Sequence, residues 1–379
     1  MQAGNEDVAT LPLLSSMATG KYFRLASSLA SAFNSHLQTM SPEESMRSFM
    51  HSRLAKGMLT IAVAAAHSAL PSRMEAQIYR LEEMNTEQIR ALDRARTVII
   101  IPGGILEQHG PYLPSWSDAY FGQRLATDLA NEIVKRPGWK AVFFPMIPLG
   151  SGGANEIGER WNFPGSYTVR PATLRAVYMD LATSLGDQGF LWIFVVNPHG
   201  SPKHNVVLDQ AGDYFRDTFG GHMVHVTGVL TRNAPLDSIA GQALASEDGF
   251  TVHAGLAEHA QVMALRPDLV PATITSAPSI TGKNFPDLVR IAHQPDWPGY
   301  FGAPRHASVA LGEALLARQL RGPIETAMKI LDGADERTMP RYSKVIYSVP
   351  GISAVMDSAA KYEAAIEARQ QAWLARQRP

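Results

Sequence analysis

The sequence predicts an α/β fold: a three-layer α/β/α body around a mainly parallel central sheet, with a helical N-terminal extension and a C-terminal arm. Three observations predict it. Apolar, β-branched runs recur through the middle of the chain and read as strands buried on both faces. Amphipathic helical patterns separate those runs, as crossovers between parallel strands require. At 379 residues and 45% hydrophobic, the chain also has enough apolar material for one large core or two modest ones.

Taken in order, residues 1–77 lack strand runs and mix Ser, Ala and Met with scattered charges, which predicts an extension of loosely packed helices. Inside it, MHSRLAKGMLTIAVAAAHSALPS from Met50 has the layout of a secretory signal: Arg53 and Lys56, an apolar stretch, then small residues suited to cleavage. Two readings stay open. Either Met50 is the true start and the protein is exported, matured near His67 or Ala69, or the stretch is an Ala-rich helix of a cytoplasmic protein. It is too short for a stable membrane anchor.

The α/β domain is expected over residues 78–330. Its elements are a strand TVIIIP (97–102), a helix over 119–135, a strand AVFFPMIPL (141–149), a helix over 172–188, a strand LWIFVVN (191–197), a helix over 203–218 and a strand HMVHVTGVL (222–230). Residues 331–379 form a terminal arm ending in the helical pattern DSAAKYEAAIEARQQAWLARQ, expected to pack on the body or on a neighbouring subunit.

Charge narrows the partners. The 34 basic and 35 acidic residues nearly cancel and no like-charge block appears, so nucleic acid and an anionic membrane surface are poor partners and a small molecule is the better expectation. With no cysteine, His and carboxylates are the plausible metal ligands.

Such residues gather at the strand ends, where the ligand crevice of an open α/β sheet lies. TVIIIP is followed by Glu107, His109 and Asp118, LWIFVVN by His199 and His204, and GFTVHAGLAEHA holds His253, Glu258 and His259. Imidazole nitrogen with carboxylate oxygen suits a hard or borderline divalent ion, and a carboxylate can bridge two. Plainer roles stand beside this one. Asp118, just before a helical pattern, reads equally as an N-cap, and His204, His225, His293 and His306 as satisfied structural histidines.

The motifs PGGILEQHGPYLPSWSDAY, FPGSYTVRPATL, GFLWIFVVNPHGSPKHN, HAGLAEHAQVMALRPDLV and GYFGAPRHASVALGEALL, in that order and spacing, resemble the creatininase (creatinine amidohydrolase) family of metal-dependent amide hydrolases. The resemblance implies two divalent ions per chain, zinc or manganese, in a homo-oligomer that is a hexamer in the family. Position by position it assigns Glu107, Asp118 and His199 to one ion and His109, Glu258 and again Asp118 to the other. The chain departs from the creatininase pattern at Ser201, where a Glu is usual, and at Tyr112 and Leu256, which puts creatinine itself in doubt as substrate.

The expected reaction is hydrolysis of a C–N bond of a small cyclic or formyl amide by hydroxide held between the two ions. His253 is the expected proton donor to the leaving amine. Trp116, Trp161, Tyr167 and Ser201 are candidate substrate contacts, the three aromatics as pocket walls. The alternatives are a lactonase or isomerase using the same centre, or a metal-binding assembly protein without turnover.

Overall fold

The computed structural model describes residues 77–231 and 236–377; the proposed extension and the Met50 signal lie outside them. A five-stranded sheet forms the centre, its strands β1 (Ile78–Arg80), β2 (Thr97–Pro102), β3 (Lys140–Phe143), β4 (Trp192–Val196) and β5 (His222–His225) ordered β1-β3-β2-β4-β5. Every pairing is parallel. β2 is buried along its whole length, as TVIIIP implied.

Helices cover both faces. On one lie α1 (Ser117–Ile133), against Val98, Ile100, Phe194 and Val196, and later segments of the chain described below. On the other lie α2 (Pro171–Asp187) and α3 (Pro202–Phe219), whose Leu174, Tyr178, Ala182, Leu208, Ala211 and Phe215 meet Ile99, Ile101, Ile193 and Val195. Alternate residues of β2 therefore serve opposite cores, which is the period of two that a fully covered strand must satisfy. Proline sets the start of α2 and α3, where its missing N–H costs nothing.

After the sheet come α4 (Leu256–Leu265), α5 (Phe285–Ala292), α6 (Val309–Gln319), α7 (Arg321–Leu331) and α8 (Ile352–Ala375). α6 and α7 complete the first helical layer through Leu316 of α6 and Ala327 and Ile330 of α7, all buried. A third apolar cluster joins Ile157, Phe285, Leu288 and Trp297 to Ile352 and Val355 of α8. The arm thus packs on the body of its own chain. None of the described helices is long and apolar enough to cross a membrane.

Two expectations need correction, and one strand was missed. The run AVFFPMIPL is strand only over Lys140–Phe143; Pro145 and Pro148 deny the ladder its donors, and the rest is loop. The last strand stops at His225, where the chain turns into a 3-10 segment, Val226–Gly228. β1, three residues long, gave too short a run to be read.

The topology also locates the chemistry. From β2 the chain goes to β3 on one side by way of α1, then crosses by way of α2 to β4 on β2's other side. β2 and β4 are therefore the neighbours between which the winding reverses, and the crevice of a doubly wound sheet opens beyond their carboxyl ends.

Candidate metal centre

The β2 end delivers Glu107 and His109, and the β4 end delivers His199. α1 begins close enough to that end to add Asp118 from its first turn, and glycine makes the approach possible. A Cβ on Gly104 would stand 2.5 Å from the Ala119 Cβ and 2.8 Å from its Cα. Asp118 makes no cap: the residue preceding the helix is Trp116, without a side-chain cap hydrogen bond, so the N-cap reading is corrected. Its carboxylate instead faces His109 and His199 while sitting at the positive end of the helix. Glu258 comes from the equivalent place on α4, its oxygen accepting the backbone N–H of Ala254, a residue held at φ 48°.

Backbone carbonyls set the imidazole tautomers, because a carbonyl can only accept. His199 donates from Nε2 to the Gly152 carbonyl at 2.9 Å, which turns Nδ1 onto Glu107 Oε2 and Asp118 Oδ2, 3.1 Å from both, where it donates when protonated and offers its lone pair to an ion when not. His109 donates from Nδ1 to the Glu107 carbonyl at 3.0 Å, so Nε2 faces Asp118 at 3.6 Å and Glu258 at 3.9 Å. That Nε2 is buried and has no hydrogen-bond partner. His253 donates from Nε2 to the Gln108 carbonyl at 2.6 Å and turns Nδ1 to within 3.8 Å of Glu107. The Ala154 N–H fixes the same Glu107 oxygen, Oε1, at 2.5 Å and leaves Oε2 to His199.

These groups carry strained electrostatics. Burial pushes Glu107 up, but the neighbouring charges of His199 and His253 outweigh it and hold the carboxyl below its usual range. Burial likewise opposes charge on His109, yet Asp118, hydrogen-bonded beside it, raises it to about 9. Asp118 is driven far down by His109 and His199, both hydrogen-bonded to it, against its own desolvation. Glu258 goes the other way: desolvation lifts it to about 7, although its side chain is 39% exposed toward the crevice. Burial holds His253 down at about 4 and therefore neutral near pH 7.

The donor atoms fall into groups that could each hold an ion. Glu107, Asp118 and His199 make one, His109, Asp118 and Glu258 a second, and Glu107, His109 and His253 a third. Asp118 belongs to the first two. A divalent ion fits here on the chemistry of the donors: three converging carboxylates, and inward nitrogens whose protons are engaged on their other ring atoms.

Other expected residues lie elsewhere. Ser201 lines a cavity beside His199, but Trp116, Trp161 and Tyr167 line neither of the cavities at the centre. Trp161 stacks on Tyr362 of α8 at 4.3 Å, and Tyr167 is 68% exposed. His204 and His225 are buried and bonded to the backbone at Ser151 and Asn197 through one ring nitrogen each, while His204 Nε2 and His225 Nδ1 have no hydrogen-bond partner, so neither is the fully satisfied histidine expected.

Sequence reading missed a buried ion cluster next door. Lys203, in the first turn of α3, contacts Glu156 at 2.6 Å and also Glu363 of α8. The lysine in NPHGSPKHN was its only trace in the sequence, because its partners lie far away in the chain.

Comparison with known proteins supplies the rest. The model of the family described as Creatininase: Creatinine amidohydrolase matches residues 82–326. A relative named mycofactocin precursor peptide peptidase, from Mycobacterium ulcerans (strain Agy99), is 24% identical over 263 residues, covering 67% of this chain and 94% of that one. A crystal structure of creatinine amidohydrolase (creatininase) aligns with 69% of this chain and 100% of its own at a TM-score of 0.50 and 22% identity. A mutant creatininase described as Zn-Zn type aligns with 66% and 98% at 0.50 and 19%.

Proposed function

The chain belongs to the creatininase family, and from that premise we propose that it is an amide hydrolase working with two divalent ions. Glu107, Asp118 and His199 would hold one ion and His109, Asp118 and Glu258 the other, with Asp118 shared. The observation that carries this is the paired orientation of His109 and His199, each with its far nitrogen bonded to a carbonyl and its near one turned onto the carboxylates. All-nitrogen-and-oxygen donors of this kind suit zinc or manganese.

Bound there, the ions would bring a shared water within reach of deprotonation near neutral pH and polarise the amide carbonyl. The chain's own groups do the remainder. Neutral His253 offers Nδ1 toward the cluster and can take the proton that water gives up. Gln108 holds its other nitrogen, so the ring keeps its orientation through the transfer. The same Nδ1 proton then goes to the leaving nitrogen as the C–N bond breaks, yielding a carboxylic acid and an amine. Glu107, fixed by the Ala154 N–H, keeps the ring's near side negative and stabilises its transient charge.

The bond class is a small cyclic or formyl amide, or a short peptide amide; the last is favoured by the name of the mycobacterial relative. Elemental analysis of purified protein, followed by a screen of amides against lactones, tests the proposal. Two equivalents of metal with amide turnover are expected; a metallated protein that opens lactones alone would overturn the amidase assignment.

A further inference from the structure

Two cavities meet at the centre and share Asp118, Pro198, Val252, His253 and Glu258. They differ in what lies beyond. The larger, about 290 Å³, runs toward Thr251, Gln261 and Gln319, a polar end closed by a hydrogen bond between the two glutamines. The smaller, about 190 Å³, runs toward Phe285 and six arm residues, Tyr342, Ile346, Val349, Ile352, Val355 and Met356, five of them aliphatic. All six lie beyond residue 326, where the family match ends.

We infer that the arm-lined cavity is an apolar subsite of this enzyme, so that the substrate carries an uncharged aliphatic or aromatic group beside the scissile amide, selected by Val349 and Met356. The inference rests on the amide-hydrolase reading of the adjoining centre. Ile352 and Val355 are buried in the cluster with Phe285, whereas Val349 and Met356 are only partly covered by protein. An apolar group seated there removes that surface from water, the largest gain open to a ligand in such a site. An anionic group gains no free cation: Lys203, nearby, is already held by Glu156 and Glu363.

The wall is also held in place. Glu363 meets Lys203, Glu367 meets Arg170 at 2.6 Å, and Tyr362 stacks on Trp161. These contacts dock α8 one to three turns beyond Met356, so Val349 and Met356 belong to a fixed surface, which a subsite needs in order to discriminate.

The test separates binding from turnover. Full-length protein loaded with zinc is titrated calorimetrically with acetohydroxamic acid and with isovaleryl and phenylacetyl hydroxamic acids, and the matching acyl amides are offered as substrates. The apolar hydroxamates should bind tighter than the acetyl one by roughly 10- to 200-fold, as a filled hydrophobic pocket allows. Val349→Ser and Met356→Ser should each shrink that preference, and Val349→Trp, which fills the cavity, should abolish it while sparing acetohydroxamate. Equal binding of all three compounds, or a preference that survives every variant, overturns the inference. A preserved, variant-sensitive preference without turnover of any amide leaves the subsite standing and removes the amidase reading instead.

Discussion

Asp118 Oδ2 lies 3.1 Å from His199 Nδ1, and its other oxygen lies 3.6 Å from His109 Nε2, so one carboxylate touches the inward nitrogens of two strand-end histidines. Both nitrogens face it because both rings spend their other N–H on a carbonyl. A residue serving mainly to stabilise the start of α1 would have no reason to stand between them.

Asp118→Asn keeps the size and the helix position while removing the charge, so it isolates that role. We expect both ions to be lost together, with circular dichroism unchanged. Elemental analysis decides: a variant retaining both ions excludes Asp118 as the shared ligand.

Metal uptake should depend on pH with a definite sign. In metal-free protein His109 keeps its proton up to about 9 and Glu258 up to about 7. His109 is thus raised above its ordinary 6.5, so the stability it lends is full below that value and is lost as pH rises toward 9. Glu258, also raised, contributes in the same direction between its ordinary 4.5 and about 7. An incoming ion must displace these protons. The rise in Tm on adding zinc should therefore grow with pH across this window, and calorimetry in buffers of different ionisation heat should find protons released. A zinc effect independent of pH would count against His109 and Glu258 as ligands.

The ion cluster behind the arm allows a stability prediction. The side chains of Lys203 and Glu156 are each 10% exposed and that of Glu363 is 21% exposed. Lys203→Met leaves buried Glu156 and part-buried Glu363 without their cation and should cost about 3–5 kcal/mol, the usual penalty for breaking a buried pair from one side. Glu363→Gln keeps the lysine paired with Glu156 and should cost far less. Chemical denaturation of both variants checks the order, and the reverse ranking would mean that Lys203 is not the hub.

These variants also mark where sequence reading stops. TVIIIP announced its strand because every residue in it is apolar or small enough to bury on two faces, and Glu107, His109, Asp118, His199 and Glu258 were visible because each follows closely on a strand or opens a helix. Local pattern carries such information. The Lys203–Glu363 contact joins residues 160 apart, and the stack of Trp161 on Tyr362 takes a presumed pocket aromatic into the docking of α8. No periodicity encodes those pairings; they exist only once the arm has folded back. The overlong third and fifth strands have a different cause, since apolar runs persist past the last ladder bond while Pro145, Pro148 and the Val226–Gly228 turn end the pairing.

The last prediction concerns His253, whose Nδ1 is 3.8 Å from Glu107 and whose ring centre is 4.4 Å from that of His109. Two roles compete for that nitrogen. As a third ligand beside Glu107 and His109 it would be needed for metal, whereas as a proton carrier it would be needed only while the amide is being cleaved. Burial holds it neutral, with a value near 4, which suits a group that begins the cycle by accepting a proton. His253→Asn fills similar space, can still donate to the Gln108 carbonyl, and cannot carry the proton. If His253 is the carrier, the variant should keep its metal and its KM while kcat falls by roughly 10²- to 10⁴-fold, the contribution of a positioned acid or base. A substrate whose leaving group needs no proton should recover much of that loss, since only the second half of the transfer is then dispensable. Loss of an ion from the variant would place His253 among the ligands and pass the proton to another group. His259 would then be the nearest alternative, buried in the first turn of α4 with its Nε2 unpartnered.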